Sequence, residues 1–260
     1  MLKGKSAVVT GSTSGIGRAV AEALAEAGAN VMLNGFGDKA EIEGLRADLA
    51  QRAQVKVLYH GADMTKPKEV VDLVKAAEAS FGAVDIVVNN AGTQHVSPIE
   101  DFPPEKWDMI IAINLSSAFH TIRAAMPGMK KRRWGRIVNI ASVHGLVASK
   151  DKVAYVAAKH GILGLTKVVA LETAPLGITC NAICPGWVKT PLVVKQIEDR
   201  AAANKISLEE AGIALLSDKM PSLTFVKAEE IGALAVFLSS PAASAITGAA
   251  IPIDGAWTAQ

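Results

Sequence analysis

A glycine-rich turn between a strand signal and a helix signal, close to the start of the chain, most constrains what this sequence can fold into. Ala7 to Thr10 is a short apolar run, followed by Thr10-Gly11-Ser12-Thr13-Ser14-Gly15-Ile16-Gly17 and then by the alanine-rich segment Ile16 to Ala27. In a strand–turn–helix unit, Gly11 permits a tight exit, Gly15 lets backbone approach a pyrophosphate, and Gly17 allows close helix packing. The helix N-terminus adds amide donors and a dipole that favours an anion. Thr13, Ser14 and Ile16 complete the ligand-facing turn. Glycines also make ordinary turns, so the flanking strand and helix carry this reading.

The alternation then continues. Strand-like runs are Val31 to Leu33, Val55 to Tyr59, Ile86 to Val88, Ile137 to Ile140, Ile178 to Ile183 and Ala250 to Ile253. Helix-like segments between them are Ala40 to Gln51, Pro67 to Phe81, Pro104 to Lys131, Val153 to Thr173 and Ala228 to Leu238. β-Branched strands with few charges, each joined by a helix, predict a parallel sheet covered on both faces. Right-handed crossovers make this a doubly wound α/β (Rossmann) fold of about seven strands. A closed (β/α)8 barrel is the alternative, and the glycine turn argues against it. One domain over residues 1–260 is expected. The segment 187–226 interrupts the alternation with helix-like Val194 to Ala203 and Leu208 to Leu216. It is a candidate substrate lid, or a fixed helical insertion forming a subunit contact.

Composition excludes several classes. With 260 residues, half of them hydrophobic, the chain has material for a large core, and its net charge of +2 gives no electrostatic reason to bind nucleic acid or membrane. The longest apolar runs are interrupted by charges or glycines, so no membrane span is expected. Met1-Leu2-Lys3-Gly4-Lys5 leads directly toward the first strand, so no signal peptide is expected. Cys180 and Cys184 fall in one strand signal and lack nearby His or Cys partners. Reduced core thiols in a cytoplasmic protein are expected, with no metal site.

Chemistry is concentrated around Ser142-Val143-His144 and Tyr155-Val156-Ala157-Ala158-Lys159. At i and i+4 on a helix, Tyr155 and Lys159 share a face. A phenol titrates near 10, and an ammonium at ~4 Å with an effective dielectric of ~20 favours phenolate by about 4 kcal/mol, roughly three pKa units. That predicts a tyrosine able to act as general acid or base near neutrality. Ser142, just after a strand, can hydrogen-bond a substrate oxygen. Y-x-x-x-K alone also occurs on helix surfaces without function.

Together these motifs resemble the short-chain dehydrogenase/reductase family over essentially the whole chain. The resemblance rests on Thr10-Gly11 through Gly17, Asp63, Asn89-Asn90-Ala91-Gly92, Asn114, Ser142, Tyr155, Lys159 and Pro185-Gly186. It implies a catalytic tetrad of Asn114, Ser142, Tyr155 and Lys159, with Asn114 holding a water in a proton relay through Lys159. It further implies a dinucleotide bound along the glycine turn. Asp63 and Met64 would lie near the adenine, Asn90, Ala91 and Gly92 in the cleft, Lys159 on the nicotinamide ribose, and Pro185, Gly186, Val188 and Thr190 beside the carboxamide.

The chain is also similar to the bacterial D-3-hydroxybutyrate dehydrogenases within that family, through Leu33 to Gly37, Gln94-His95, Ile99 to Pro103, His144 to Ser149, Ile183 to Val188, Thr190 to Val193, Lys195 to Ile197, Pro221 to Leu223 and Trp257 to Ala259. This resemblance implies NAD-dependent interconversion of a small hydroxy acid and its keto acid. Gln94, His144, Lys152 and Gln196 would bind the carboxylate, and Trp187 and Trp257 would wall the methyl side. It also implies a homotetramer. Read singly, a histidine such as His144 is more often structural than a ligand contact, Lys152 and Gln196 are more often surface groups, and the tryptophans can be core packing. Val143, Asp151, Val153 and Ala256 depart from the pattern, Ala256 replacing the second glycine of an Asp-Gly-Gly.

The second strand is followed by Asn34-Gly35-Phe36-Gly37-Asp38, with no arginine placed for a ribose 2′-phosphate and with Phe36 placed to flank the adenosine. NAD is therefore expected by elimination, with Arg18 the residue most able to upset the inference. Two alternatives stand beside the dehydrogenase: another carbonyl reductase of the family acting on a sugar, steroid or acyl thioester, and a non-catalytic dinucleotide sensor.

Overall fold

The computed structural model describes residues 1–259. In chain order the elements are β1 (Ser6–Val9), α1 (Gly15–Glu26), β2 (Asn30–Asn34), α2 (Lys39–Ala53), β3 (Val57–His60), α3 (Pro67–Phe81) and β4 (Ile86–Asn89). They continue with α4 (Pro104–Ile111), α5 (Ser117–Arg132), β5 (Gly135–Ile140), α6 (Val153–Thr173), β6 (Ile178–Pro185), α7 (Pro191–Asn204), α8 (Leu208–Ser217), α9 (Ala228–Ser239) and β7 (Ala250–Ile253). All pairings are parallel and the sheet order is β3-β2-β1-β4-β5-β6-β7. The winding reverses between β1 and β4, the place where doubly wound sheets open a crevice at the strand carboxyl ends. The seven expected strands are present, and the barrel alternative is excluded by the open edges at β3 and β7.

Alternate strand residues bury on opposite faces. Ala7 and Val9 join a core with Val20 and Leu24 of α1, Leu49 of α2 and Ile231 and Leu238 of α9. Val8 points the other way, into a core with Leu73 and Val74 of α3, Ile122 and Met129 of α5 and Val169 of α6. Each such aliphatic side chain contributes about 1.5–3 kcal/mol on burial. Gly232 allows α9 to lie against α1, since a Cβ there would sit 3.0 Å from Ala19 O.

Two expectations are corrected. The predicted single helix from Pro104 to Lys131 is interrupted by a π-helical turn, Ala112–Ser116. Hydropathy cannot reveal one wide turn inside a continuous apolar stripe. The expectation that no segment is apolar enough to span a membrane also fails on length and composition, because Pro104–Arg132 and Val153–Leu176 both qualify. Their apolarity has a local cause: Ile110, Ile122, Ala158 and Ile162 are buried within the fold, while Trp107, Phe119, Val168 and Leu171 keep further apolar surface outside. Cys180 and Cys184 both lie in β6 as free, buried thiols, pushed up to about 12 and about 11 by burial.

Candidate active site

The β1–β4 reversal opens into a cleft of about 520 Å³. Gly11, Thr13, Ser14, Gly15, Ile16, Phe36, Asp63, Met64, Asn90, Ala91, Gly92 and Thr190 line it, as do Asn114, Tyr155 and Lys159. Gly17 lies beneath instead: a Cβ there would meet Gly11 O at 2.2 Å, so it serves the close packing of α1. Pro185, Gly186 and Val188 line a smaller adjoining cavity. Gly11 and Gly15 have φ of 62° and 55°, which side chains rarely adopt. Backbone therefore faces the cleft at the start of α1, where first-turn amides and the helix dipole favour phosphate. These residues fit a dinucleotide.

The same elements bring the tetrad together. The π turn carries Asn114, whose Nδ2 donates to Thr93 O and Ile110 O, each at 2.9 Å. Its Oδ1 is buried without a partner among the described residues. Tyr155 and Lys159 project from one face of α6, with Lys159 Nζ 5.5 Å from the Tyr155 ring centre and donating to Ile140 O at 2.7 Å. Burial brings the ammonium down to about 8. For Tyr155, enclosure pushes the phenol above its ordinary value, and a hydrogen bond from Ser142 acts in the opposite direction. The sequence expectation that Lys159 alone would bring the phenol toward neutrality is therefore corrected. The ammonium is spent on Ile140 O, and loss of hydration dominates the phenol.

The smaller cavity, about 100 Å³, gathers residues that follow four strands, β4 to β7, together with one just before α6 and one within it: Gln94, His144, Lys152, Tyr155, Trp187, Gln196 and Trp257. Every residue expected at the substrate lies here or, for Ser142, directly behind it. Trp187 and Trp257 form one wall, their rings 5.7 Å apart and tilted by 40°. Lys152 is only 9% exposed, its Nζ 5.0 Å from the Trp187 ring centre, and burial lowers its pKa. His144 is packed edge-on against Tyr155 and Trp257 and pushed down to about 4 by burial, with Lys152, Lys219 and His160 adding repulsion, so its ring is neutral. Both ring nitrogens already meet hydroxyls, Nδ1 that of Ser142 at 3.3 Å and Nε2 that of Ser149 at 2.9 Å. The ring borders the cavity, but its nitrogens are not free donors for a carboxylate.

Several contributors escaped the sequence reading. Asn34 ends β2 beside the glycine turn. It accepts from Gly11 N at 3.3 Å while donating to His60 O and Ala62 O at 3.0 Å, a mixture of roles that a carboxylate cannot perform. Asp254 and Ser149 support site residues from behind. No sequence motif marks them, because their roles depend on contacts made only after folding. Asp63 lines the cleft, but its Oδ1 is taken by Thr65 N and Oγ1 at 2.9 and 2.7 Å. Segment 187–226 carries α7 and α8, which share a small core of Val193, Ile197, Ala201 and Ala211. Its two ends are joined by Val226 N donating to Trp187 O at 2.9 Å, and Ser222 N ties it to the body by donating to Gly255 O at 3.1 Å. Among the described residues no cluster of His, Cys, Asp and Glu is placed to hold a metal.

A parallel sheet with this reversal, a glycine cradle beneath it, and a Ser–Tyr–Lys–Asn group at its mouth define a dinucleotide-dependent oxidoreductase. The family model described as "Enoyl-(Acyl carrier protein) reductase" matches residues 11–258. The chain belongs to the short-chain dehydrogenase/reductase family and uses a nicotinamide dinucleotide. It is 60% identical over 261 residues to D-beta-hydroxybutyrate dehydrogenase of Cupriavidus necator, covering 100% of both chains. It is 56% identical to that of Rhizobium meliloti, over 98% of this chain and 99% of the relative. Among solved structures it resembles levodione reductase (TM-score 0.91, 31% identity, 100% and 99% covered). It also resembles actinorhodin polyketide ketoreductase with NADPH (TM-score 0.92, 33% identity, 99% of each chain).

Proposed function

We propose that this chain is an NAD-dependent dehydrogenase interconverting (R)-3-hydroxybutyrate and acetoacetate. The observation that carries the reading is Lys152, a cation buried in an aromatic cavity that also reaches Tyr155. None of the ion pairs among the described residues involves it. A buried ammonium strongly favours an anionic partner. A substrate carboxylate supplies one, with the amides of Gln94 and Gln196 as further donors. The small volume, about 100 Å³, of the cavity that cation shares with Tyr155 favours a small hydroxy acid. The full-length likeness to two D-beta-hydroxybutyrate dehydrogenases supports the same substrate.

When bound, the nicotinamide accepts or supplies the hydride. In oxidation Tyr155 takes the carbinol proton, Ser142 donates to the reacting oxygen, and Lys159 passes the proton on to solvent through a water that the unpartnered Asn114 Oδ1 would hold. In reduction Tyr155 is the acid, and its raised pKa keeps it protonated at neutral pH. The methyl end lies against Trp187 and Trp257. Segment 187–226 acts as the lid, excluding water from the cavity.

NAD rather than NADP is supported by charge. Asp38, Glu41 and Asp48 border the hollow beyond Phe36, and Arg18 in that hollow is turned to Glu22 at 2.9 Å. A 2′-phosphate entering there meets carboxylates. We place the chain in the cytoplasm as a homotetramer; the exposed Trp107, Phe119, Val168 and Leu171 of α4, α5 and α6 support the assembly, in which these faces would be covered.

The test is a panel of (R)- and (S)-3-hydroxybutyrate, a sugar, a steroid alcohol and a 3-hydroxyacyl thioester, with NAD and with NADP, followed by NADH or NADPH absorbance. The (R)-acid with NAD should give the highest specificity constant. A bulky thioester exceeding it would replace the substrate, and preference for NADP would overturn the cofactor.

A further inference from the structure

We propose that Met220 is a positioning residue for the substrate wall, its thioether sulfur holding the backbone of Trp187 in place. The inference rests on the reading of Trp187 as part of that wall. The Trp187 backbone N–H donates to Met220 Sδ at 3.2 Å, and the Trp187 carbonyl accepts from Val226 N at 2.9 Å. Both backbone polar groups of the residue that opens segment 187–226 are thus taken by the far end of the same segment. The ring carried by this backbone lies 5.0 Å from Lys152 Nζ and 5.7 Å from the Trp257 ring.

A thioether is a weak acceptor, and enclosure is what makes it matter here. Met220 is 1% exposed, so water has little access to replace the sulfur, and an N–H left buried without a partner is costly. The side chain runs between the exits of two strands. A Cβ on Gly186, after β6, would come 3.2 Å from Met220 Sδ, and a Cβ on Gly255, after β7, would come 2.8 Å from its Cε. An unbranched, pliable side chain suits so narrow a course. Its own backbone is anchored at the end of α8, where Met220 N donates to Leu216 O at 2.7 Å and Met220 O accepts from Leu223 N at 2.9 Å. One sulfur therefore couples the seating of α8 to the placement of Trp187. Met220 lies outside the cavity lining and acts through Trp187 rather than on substrate.

Norleucine replaces the sulfur with a methylene and keeps the unbranched shape. The chain has seven methionines, so the comparison is between wild type and Met220→Gln, each made with methionine and with norleucine. Effects at the other six positions are common to both proteins and cancel. Glutamine keeps the length and offers an oxygen acceptor, so Met220→Gln should hold KM for (R)-3-hydroxybutyrate near that of wild type. Norleucine should raise this KM about three- to tenfold in wild type, beyond any change it makes in Met220→Gln. It should also speed hydrogen exchange of the Trp187 amide, followed by NMR, by a similar factor in wild type alone. Equal effects of norleucine on the two proteins overturn the proposal. Faster Trp187 exchange with unchanged KM overturns it too, reducing the sulfur contact to a bond within the fold. The exchange measurement on wild type stands even where Met220→Gln folds poorly, and an unchanged Trp187 rate there is fatal. Exchange needs no substrate, so inactivity on 3-hydroxybutyrate would remove the substrate assignment without deciding whether the sulfur holds Trp187.

Discussion

Asp254 and Thr258 are joined twice: Asp254 Oδ2 accepts from the Thr258 backbone N–H at 2.9 Å and from its hydroxyl at 2.6 Å. Oδ1 accepts from Ala256 N at 3.1 Å. The carboxylate thus wraps the turn that presents Trp257 to His144 and Trp187. Losing these bonds costs about 1–3 kcal/mol. Asp254→Ala should raise KM for 3-hydroxybutyrate at least about fivefold and shift tryptophan fluorescence. A shifted spectrum with unchanged KM would remove Trp257 from substrate binding.

The same turn contains a strained residue. Ala256 has φ of 70°, where a Cβ costs roughly 1–2 kcal/mol, partly offset in glycine by its greater freedom when unfolded. Ala256→Gly should therefore stabilise the protein by roughly 0.5–1 kcal/mol, read as a higher urea midpoint at unchanged slope.

Tyr155→Phe should lower turnover by about 10²–10⁴ while NAD binding and melting stay near wild type. In wild type the raised phenol pKa sets the sign of the pH dependence. Oxidation needs the deprotonated oxygen and should rise from neutral into alkaline pH, whereas reduction needs the acid and should be flat at neutrality and fall at high pH. Parallel profiles in the two directions would exclude Tyr155 as the proton carrier.

Lys152→Ala removes the buried cation. Donors to charged groups are worth about 1.5–3 kcal/mol, so KM for the acid should rise roughly ten- to a hundredfold with NAD affinity preserved. Methyl 3-hydroxybutyrate should be poor for wild type and little worse for the variant. Equal damage to acid and ester would make the lysine structural.

His144 also links stability to pH. Its folded pKa of about 4 lies below the unfolded value of 6.5, so the unfolded chain binds the proton first and stability falls as pH drops from 6.5 toward 4. The contribution lost is roughly 3 kcal/mol. His144→Gln should flatten this part of the stability profile, as measured by urea unfolding at pH 4.5 and 7. An unchanged slope would show that carboxylates control it instead.

The architecture was legible because its determinants are local and repetitive. β-Branched runs such as Val31 to Leu33, helix-compatible segments such as Val153 to Thr173, and the spacing of Gly11, Gly15 and Gly17 each express a backbone preference without needing the fold. The Tyr155–Lys159 face was legible for the same reason: i,i+4 geometry belongs to the helix itself. The π turn at Asn114, the Asn34 brace, and the support of His144 by Ser149 and Trp257 by Asp254 were not legible. Each depends on which groups remain to be paired once the sheet has brought distant segments together, and a buried polar atom takes the partner left within reach. Tyr155 shows the division most clearly. Helix periodicity determined its closeness to Lys159, but folding decided its ionisation, by burying the phenol and directing the ammonium to Ile140 O.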